Sequence, residues 1–420
     1  MSSIYLAMLR RWIAALFDRL WRRGVMRSGM LTGLTLALLA TGLLVAYREQ
    51  GRGNLHRIKA KIAPTQQSTA KDWPGGQEAI KLTRARQLDG SVPEFLSVTM
   101  LPGRGMNILQ ISAYIPGKGV VNLLASPAVE DATQAMSGVG ADTGGQASET
   151  MGGAFELPWA GPTPTSATAT WQGHALSLPV AESQGGLMLA EAADSVSTAA
   201  VLDGGEARAI FHARDFGRQW PSETDVNVNV LLGNQWIELT VVAHNVGNTP
   251  EPIGIGWHPR FAIAGGNRAQ VRLRVPATMR QEMRPGGRTA TGRLIPLAGT
   301  EYNFDRDGGV ALGTISLDDL FVALHSEPLR NGPTAELIDP AGDYGLRLIA
   351  LTPAIRAMRV VAPREGNFVT IEPQFNRVDP FGHEWGEGSE SGMGVLEPGQ
   401  STQWRVRLEL FSLAESQTAK

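Results

Sequence analysis

The chain contains no cysteine. That removes thiolate catalysis, cysteine-ligated metals and disulfides, and it is compatible with either redox compartment. An excess of charge is also missing: 38 Lys+Arg against 40 Asp+Glu give a net charge of −2. Without a basic field to gather phosphates, no nucleic-acid partner is expected. The seven histidines are scattered, with no His-Glu-x-x-His pair or other metal-site spacing, so no metal is expected from spacing alone. A Gly-x-Ser-x-Gly elbow, a phosphate-binding loop and a dinucleotide fingerprint are absent too, which removes the commonest hydrolase and nucleotide chemistries. Beyond residue 48 there is no long amphipathic helix, and no repeat of fixed period stands out.

What is present is a succession of short β-type segments. Phe95–Met100, Asn107–Ser112, Val226–Leu231, Trp236–Val242, Val271–Val275 and Trp404–Leu410 are rich in β-formers, and several alternate with period two. Punctuated by 49 glycines and 25 prolines, they predict an all-β antiparallel sandwich over residues 76–415. Residues 128–152, rich in Ala, Gly, Ser and Thr, are expected to form a mobile surface loop inserted into it.

The N-terminal part has a different character. Residues 28–47 carry no charge, and about 20 helical residues match a hydrocarbon core of about 30 Å, so a transmembrane helix is expected there. Residues 1–27 form a basic amphipathic leader, with Leu6, Leu9, Ile13, Leu16, Phe17 and Leu20 on one helical face. Six arginines precede the span, which favours a cytoplasmic leader, although basic residues follow it as well. Residues 48–75 are polar and serve as a linker. The expected arrangement is a single-pass bacterial inner-membrane protein with a periplasmic sandwich. A cleavable signal, with small residues at Ala40-Thr41-Gly42, is the rival arrangement.

Two residues stand in settings suited to proton transfer. His258 lies in Gly254-Ile-Gly-Trp-His-Pro-Arg260, between stiff neighbours that would keep its aim; the alternative is a packed histidine satisfied by backbone. Glu372 ends the apolar run Phe368-Val-Thr-Ile and precedes Pro373, where a strand leaves the sheet. Its alternative is a rim carboxylate paired with Arg377.

In their order along the chain these segments resemble the aldose 1-epimerase (galactose mutarotase-like) family, especially its branch with a Gly-Trp-His-Pro motif. Pro102-Gly-Arg-Gly-Met-Asn107, Met151-Gly-Gly-Ala-Phe-Glu-Leu-Pro-Trp-Ala-Gly161, Leu317-Asp-Asp-Leu-Phe321 and Gly394-Val-Leu-Glu-Pro-Gly-Gln400 are similar to further family segments. Together the matches cover roughly residues 95–412. The resemblance implies a mutarotase-like supersandwich and an isomerase that interconverts sugar anomers by acid/base ring opening. It implies Glu372 as general base at the anomeric hydroxyl and His258 as general acid at the ring oxygen, with side chains about 5–8 Å apart across one sugar carbon. Asp318, or Asp319 if the register shifts by one, would hold sugar hydroxyls, and Trp159 and Trp257 would offer an apolar wall.

The implied partner is a monosaccharide or glycan, and no cofactor is implied. Three positions depart from the family pattern. A second family histidine is missing from Gln184–Leu189, Pro162 replaces an arginine, and Arg260 replaces an aromatic as a substrate contact. The departures point to altered substrate contacts and keep open a membrane-tethered carbohydrate-binding domain without turnover, acting on cell-envelope glycans. A glycosidase or lyase is a more distant third possibility.

Overall fold

The computed structural model describes residues 73–413, apart from 87–89, 138–141, 143, 164–167, 172–173, 178–184, 286–288, 327–330 and 386–388. The leader, the proposed membrane segment 28–47 and nearly all of the linker lie outside the described residues. Among the described residues no helix is long and apolar enough to cross a membrane.

Two large antiparallel sheets face each other. The eleven-stranded sheet runs Ile80–Thr83, Glu94–Leu101, Asn107–Ile115, Gly153–Glu156, Gly256–Ala262, Phe368–Gln374, Ala357–Ala362, Leu317–Leu324, Ala277–Met283 and Ala290–Pro296, with Gly119–Asn122 paired to Asn107–Ile115. The nine-stranded sheet has Ser401–Phe411 at its centre, flanked by Trp236–Asn245 and Tyr344–Ala350. The six segments predicted from composition fall on strands, though Val271–Val275 shortens to Arg272–Arg274.

Period-two alternation decides what each strand buries. In Phe368–Gln374, Val369 and Ile371 enter the core between the sheets, which leaves Thr370, Glu372 and Gln374 on the opposite face. In Gly256–Ala262, Trp257 and Phe261 enter the core and His258 and Arg260 take the other face. Trp404 ties the layers together: it meets Phe155 edge-on at 6.3 Å and donates its indole N–H to the Pro373 carbonyl at 3.0 Å.

Residues 128–152 depart from the expected surface loop. They contain the helix Val129–Ala135 and the 3₁₀ turn Gln146–Thr150, and Ala132, Met136 and Met151 pack against Leu101 and Leu109. A buried ion pair between Arg104 and Asp142 at 3.1 Å fastens the segment further. Ala- and Ser-rich composition hid the three apolar anchors that dock it.

Candidate active site

Five neighbouring strands of the larger sheet contribute a row of polar side chains on the face turned away from the core. In spatial order they carry Glu156, His258, Glu372, Arg359 and Asp318. The register sets Arg359 directly opposite Glu372 and Gly256 opposite both Glu156 and Gln374. A Cβ on Gly256 would lie 2.6 Å from that of Ala160, so glycine is what lets the Ala160 segment close over this strand beside Glu372.

His258 and Glu372 are in direct contact. Nδ1 of the imidazole lies 2.7 Å from Oε2 of the carboxyl, both side chains being buried. This corrects the expected ligand-wide gap: strand spacing within one sheet is about 4.8 Å, and facing side chains on adjacent strands close it. The Nδ1–Oε2 bond also corrects the two local alternatives, since His258 is satisfied by a carboxyl and Glu372 by His258, with Arg359 Nη1 at 3.8 Å. Arg359 in turn binds Asp318 through Nε at 2.9 Å. Asp319 points the other way and pairs with Arg280 at 2.7 Å, so Asp318 is the member of that pair that faces the site. Its side chain is 57% exposed, which makes it the rim of an otherwise buried group.

Two further carboxyls complete the group. Glu156 accepts the Gly161 N–H on Oε2 at 2.7 Å, and its Oε1 lies 3.9 Å from His258 Nδ1. Glu149, delivered by the Gln146–Thr150 turn, brings Oε2 to the same distance of 3.9 Å. Gly185 closes over both with φ of 79°; a Cβ there would fall 2.4 Å from Glu149 Oε1 and 2.6 Å from Glu156 Oε1. Among the described residues, Glu149, Glu156 and His258 form a group whose donor atoms all lie within 4.8 Å of one another. Spacing along the chain could not reveal it, because its members come from three separate segments.

Burial dominates the electrostatics. It pushes Glu372 up to about 7, against the opposing pull of Arg359, and His258 down to about 4. Burial also raises Glu149, with Glu156 adding to the effect, and raises Glu156, with Glu372 adding to it. Arg359 loses from burial but is held above its ordinary value by Asp318, Glu372 and Glu156. Desolvation therefore favours neutral partners. Burial thus works against an imidazolium acid beside a carboxylate base.

The tryptophans are corrected. Trp257 is wholly buried between the sheets and donates to the Gly153 carbonyl at 3.1 Å. Once His258 faces the site, alternation sends its neighbour to the core. Trp159 is likewise wholly buried, stacked on Trp220 at 5.7 Å with Phe381 edge-on. Neither offers a wall to a ligand. Arg260 does share the His258 face, with its guanidinium 3.7 Å from the centre of the Phe368 ring.

The fold matches solved structures at low identity. A galactose mutarotase-like protein from Clostridium acetobutylicum aligns at a TM-score of 0.62 and 15% identity over 79% of this chain and 99% of its own. The aldose epimerase homologue from C. elegans gives 0.59 and 12% over 80% and 98%. Galactose 1-epimerase from Lactobacillus acidophilus NCFM gives 0.57 and 15% over 79% and 98%. No curated protein matches the chain by sequence. The aldose 1-epimerase family model matches residues 193–409, just over half of the chain and the stretch that holds His258, Asp318 and Glu372; the chain belongs to the aldose 1-epimerase family.

Proposed function

We propose that this protein is a sugar mutarotase whose proton-transfer unit is the hydrogen-bonded His258–Glu372 pair. The observation that carries the reading is the 2.7 Å contact between Nδ1 and Oε2. A neutral pair can open a hemiacetal without forming a buried ion. Oε1 takes the anomeric hydroxyl proton, the proton on Oε2 passes to Nδ1, and Nε2 gives its proton to the ring oxygen as the bond from C1 to that oxygen breaks. The products are a carbonyl at C1, a free hydroxyl and a pair that is neutral again with its protons shifted. Rotation about the C1–C2 bond and the reverse transfers close the other anomer. Acid and base help of this kind contributes ~10²–10⁴-fold each. Asp318 at the rim and Arg260 beside Phe368 are the proposed contacts to sugar hydroxyls.

The pair works only while it holds one shared proton, so the rate should follow the two macroscopic pKa values of the pair. Below about 4, His258 gains a second proton and Nδ1 can no longer accept. Above about 7, Glu372 has lost the proton that Oε2 must pass on. Polarimetry of the full-length chain with a panel of α-aldoses in EDTA should give a plateau between these limits. A rate still rising through pH 9 would remove Glu372 as the proton carrier. A carbohydrate-binding domain without turnover is the second reading, motivated by the missing histidine at Gln184–Leu189; it gives sugar binding in the same samples and no plateau at any pH.

The sandwich is proposed to lie in the periplasm, anchored by residues 28–47, from the uncharged run between Arg27 and Arg48. Alkaline phosphatase fused after residue 80 should then be active in a bacterial host. An inactive fusion, with a cytoplasmic reporter active at the same position, reverses the topology.

A further inference from the structure

We infer that Glu149, Glu156 and His258 form a binding site for one divalent cation of the nitrogen- and oxygen-liganded class, such as Zn²⁺ or Co²⁺. The donors belong to three segments that converge on one buried space: the Gln146–Thr150 turn, the strand Gly153–Glu156 and the strand Gly256–Ala262. His258 Nδ1 lies 3.9 Å from Glu149 Oε2 and 3.9 Å from Glu156 Oε1. A tetrahedral ion with bonds of about 2.1 Å needs donors about 3.4 Å apart, so small carboxyl rotations close the shell.

The carboxyl oxygens themselves point to a ligand. Glu149 is 7% exposed and Glu156 wholly buried, yet no N–H of the protein reaches either oxygen of Glu149 or Oε1 of Glu156, and the two carboxyls have only each other and Glu372 as partners there. They face one another, and only a shared proton or a cation stabilises that arrangement. Gly185 keeps the space in front of them clear, because any side chain there would meet both Oε1 atoms. Glu372, 2.7 Å from Nδ1, supplies a fourth ligand or gives up its hydrogen bond. The site therefore holds either the cation or the working proton pair, never both.

The test is cobalt uptake by the EDTA-stripped full-length chain, read as visible absorption. One equivalent of Co²⁺ should bind and be displaced by Zn²⁺, and Glu149→Gln and Glu156→Gln should each weaken binding at least tenfold. Should Glu149→Gln fail to fold, Glu149→Asp, with the same charge on a shorter arm, takes its place and should also weaken uptake. No cobalt absorption in the wild type at millimolar Co²⁺ overturns the site, as does uptake unchanged in the Glu149 and Glu156 variants; shared protons then hold the carboxyls together. Because absorption is read without any sugar, its failure leaves the mutarotase reading standing, and a lack of mutarotation leaves the cation result standing.

Discussion

Glu372→Gln should abolish mutarotation while the protein still folds and binds sugar. The amide has the shape of the carboxyl, but its nitrogen cannot accept the anomeric proton and its oxygen carries no proton for Nδ1. Both ends of the relay fail in one substitution, so the loss should reach ~10²-fold or more. The variant also loses a buried acid beside Arg359, whose partner Asp318 remains, so the ion pair that flanks the site survives. Rates by polarimetry and sugar affinity by calorimetry, on the same preparation, separate chemistry from binding. A Glu372→Gln protein that retains its rate would move the proton-transfer unit elsewhere. His258→Asn should show the same pattern, since it removes both nitrogens through which the proton travels.

Trp404→Ala should be among the most damaging substitutions for stability. The side chain is wholly buried, closes on Phe155 and holds the Pro373 carbonyl one residue beyond Glu372. Truncating such a residue to alanine costs ~3–5 kcal/mol from lost transfer energy and the cavity left behind, and here the Pro373 carbonyl also loses its donor. Urea denaturation of the full-length chain should show the unfolding free energy falling by that amount, through a lower midpoint with little change in slope. A loss under about 1 kcal/mol would mean the two sheets do not depend on this contact. Because Trp404 sits under the strand that carries Glu372, the destabilised variant should lose activity at a lower temperature than the wild type.

Much of this was legible in the chain. Period-two runs located the strands, and two odd residues, a histidine between Trp and Pro and a glutamate ending an apolar strand, located the pair. Other parts were legible in principle but needed a rule carried one step further. Alternation that aims His258 outward must aim Trp257 inward, which removes the tryptophan from the site without any structure. Arg359, alone in the apolar strand Ala357–Ala362, is a buried charge that needs a partner, and that anomaly marks it. Glu156 lies inside a segment already singled out for its family resemblance, but four strand residues are too few to show which face it takes. Glu149 gave no local signal at all. Its turn carries no apolar run, and the segment around it is docked by Ala132, Met136 and Met151 on Leu101 and Leu109, far back in the chain. The separation of His258 and Glu372 was also beyond the sequence, because distance across a sheet depends on strand order, and a separation of 114 positions along the chain does not encode it.

The proposed interconversion of sugar anomers by the buried His258–Glu372 pair is read most directly by magnetisation transfer between α and β anomeric protons, recorded by NMR on a panel of aldoses with the wild-type chain at pH 5.5 in EDTA. For at least one aldose the exchange rate should rise in proportion to protein concentration and return to the buffer rate with Glu372→Gln. An aldose that binds the wild-type protein while its anomers exchange no faster than in buffer would contradict it.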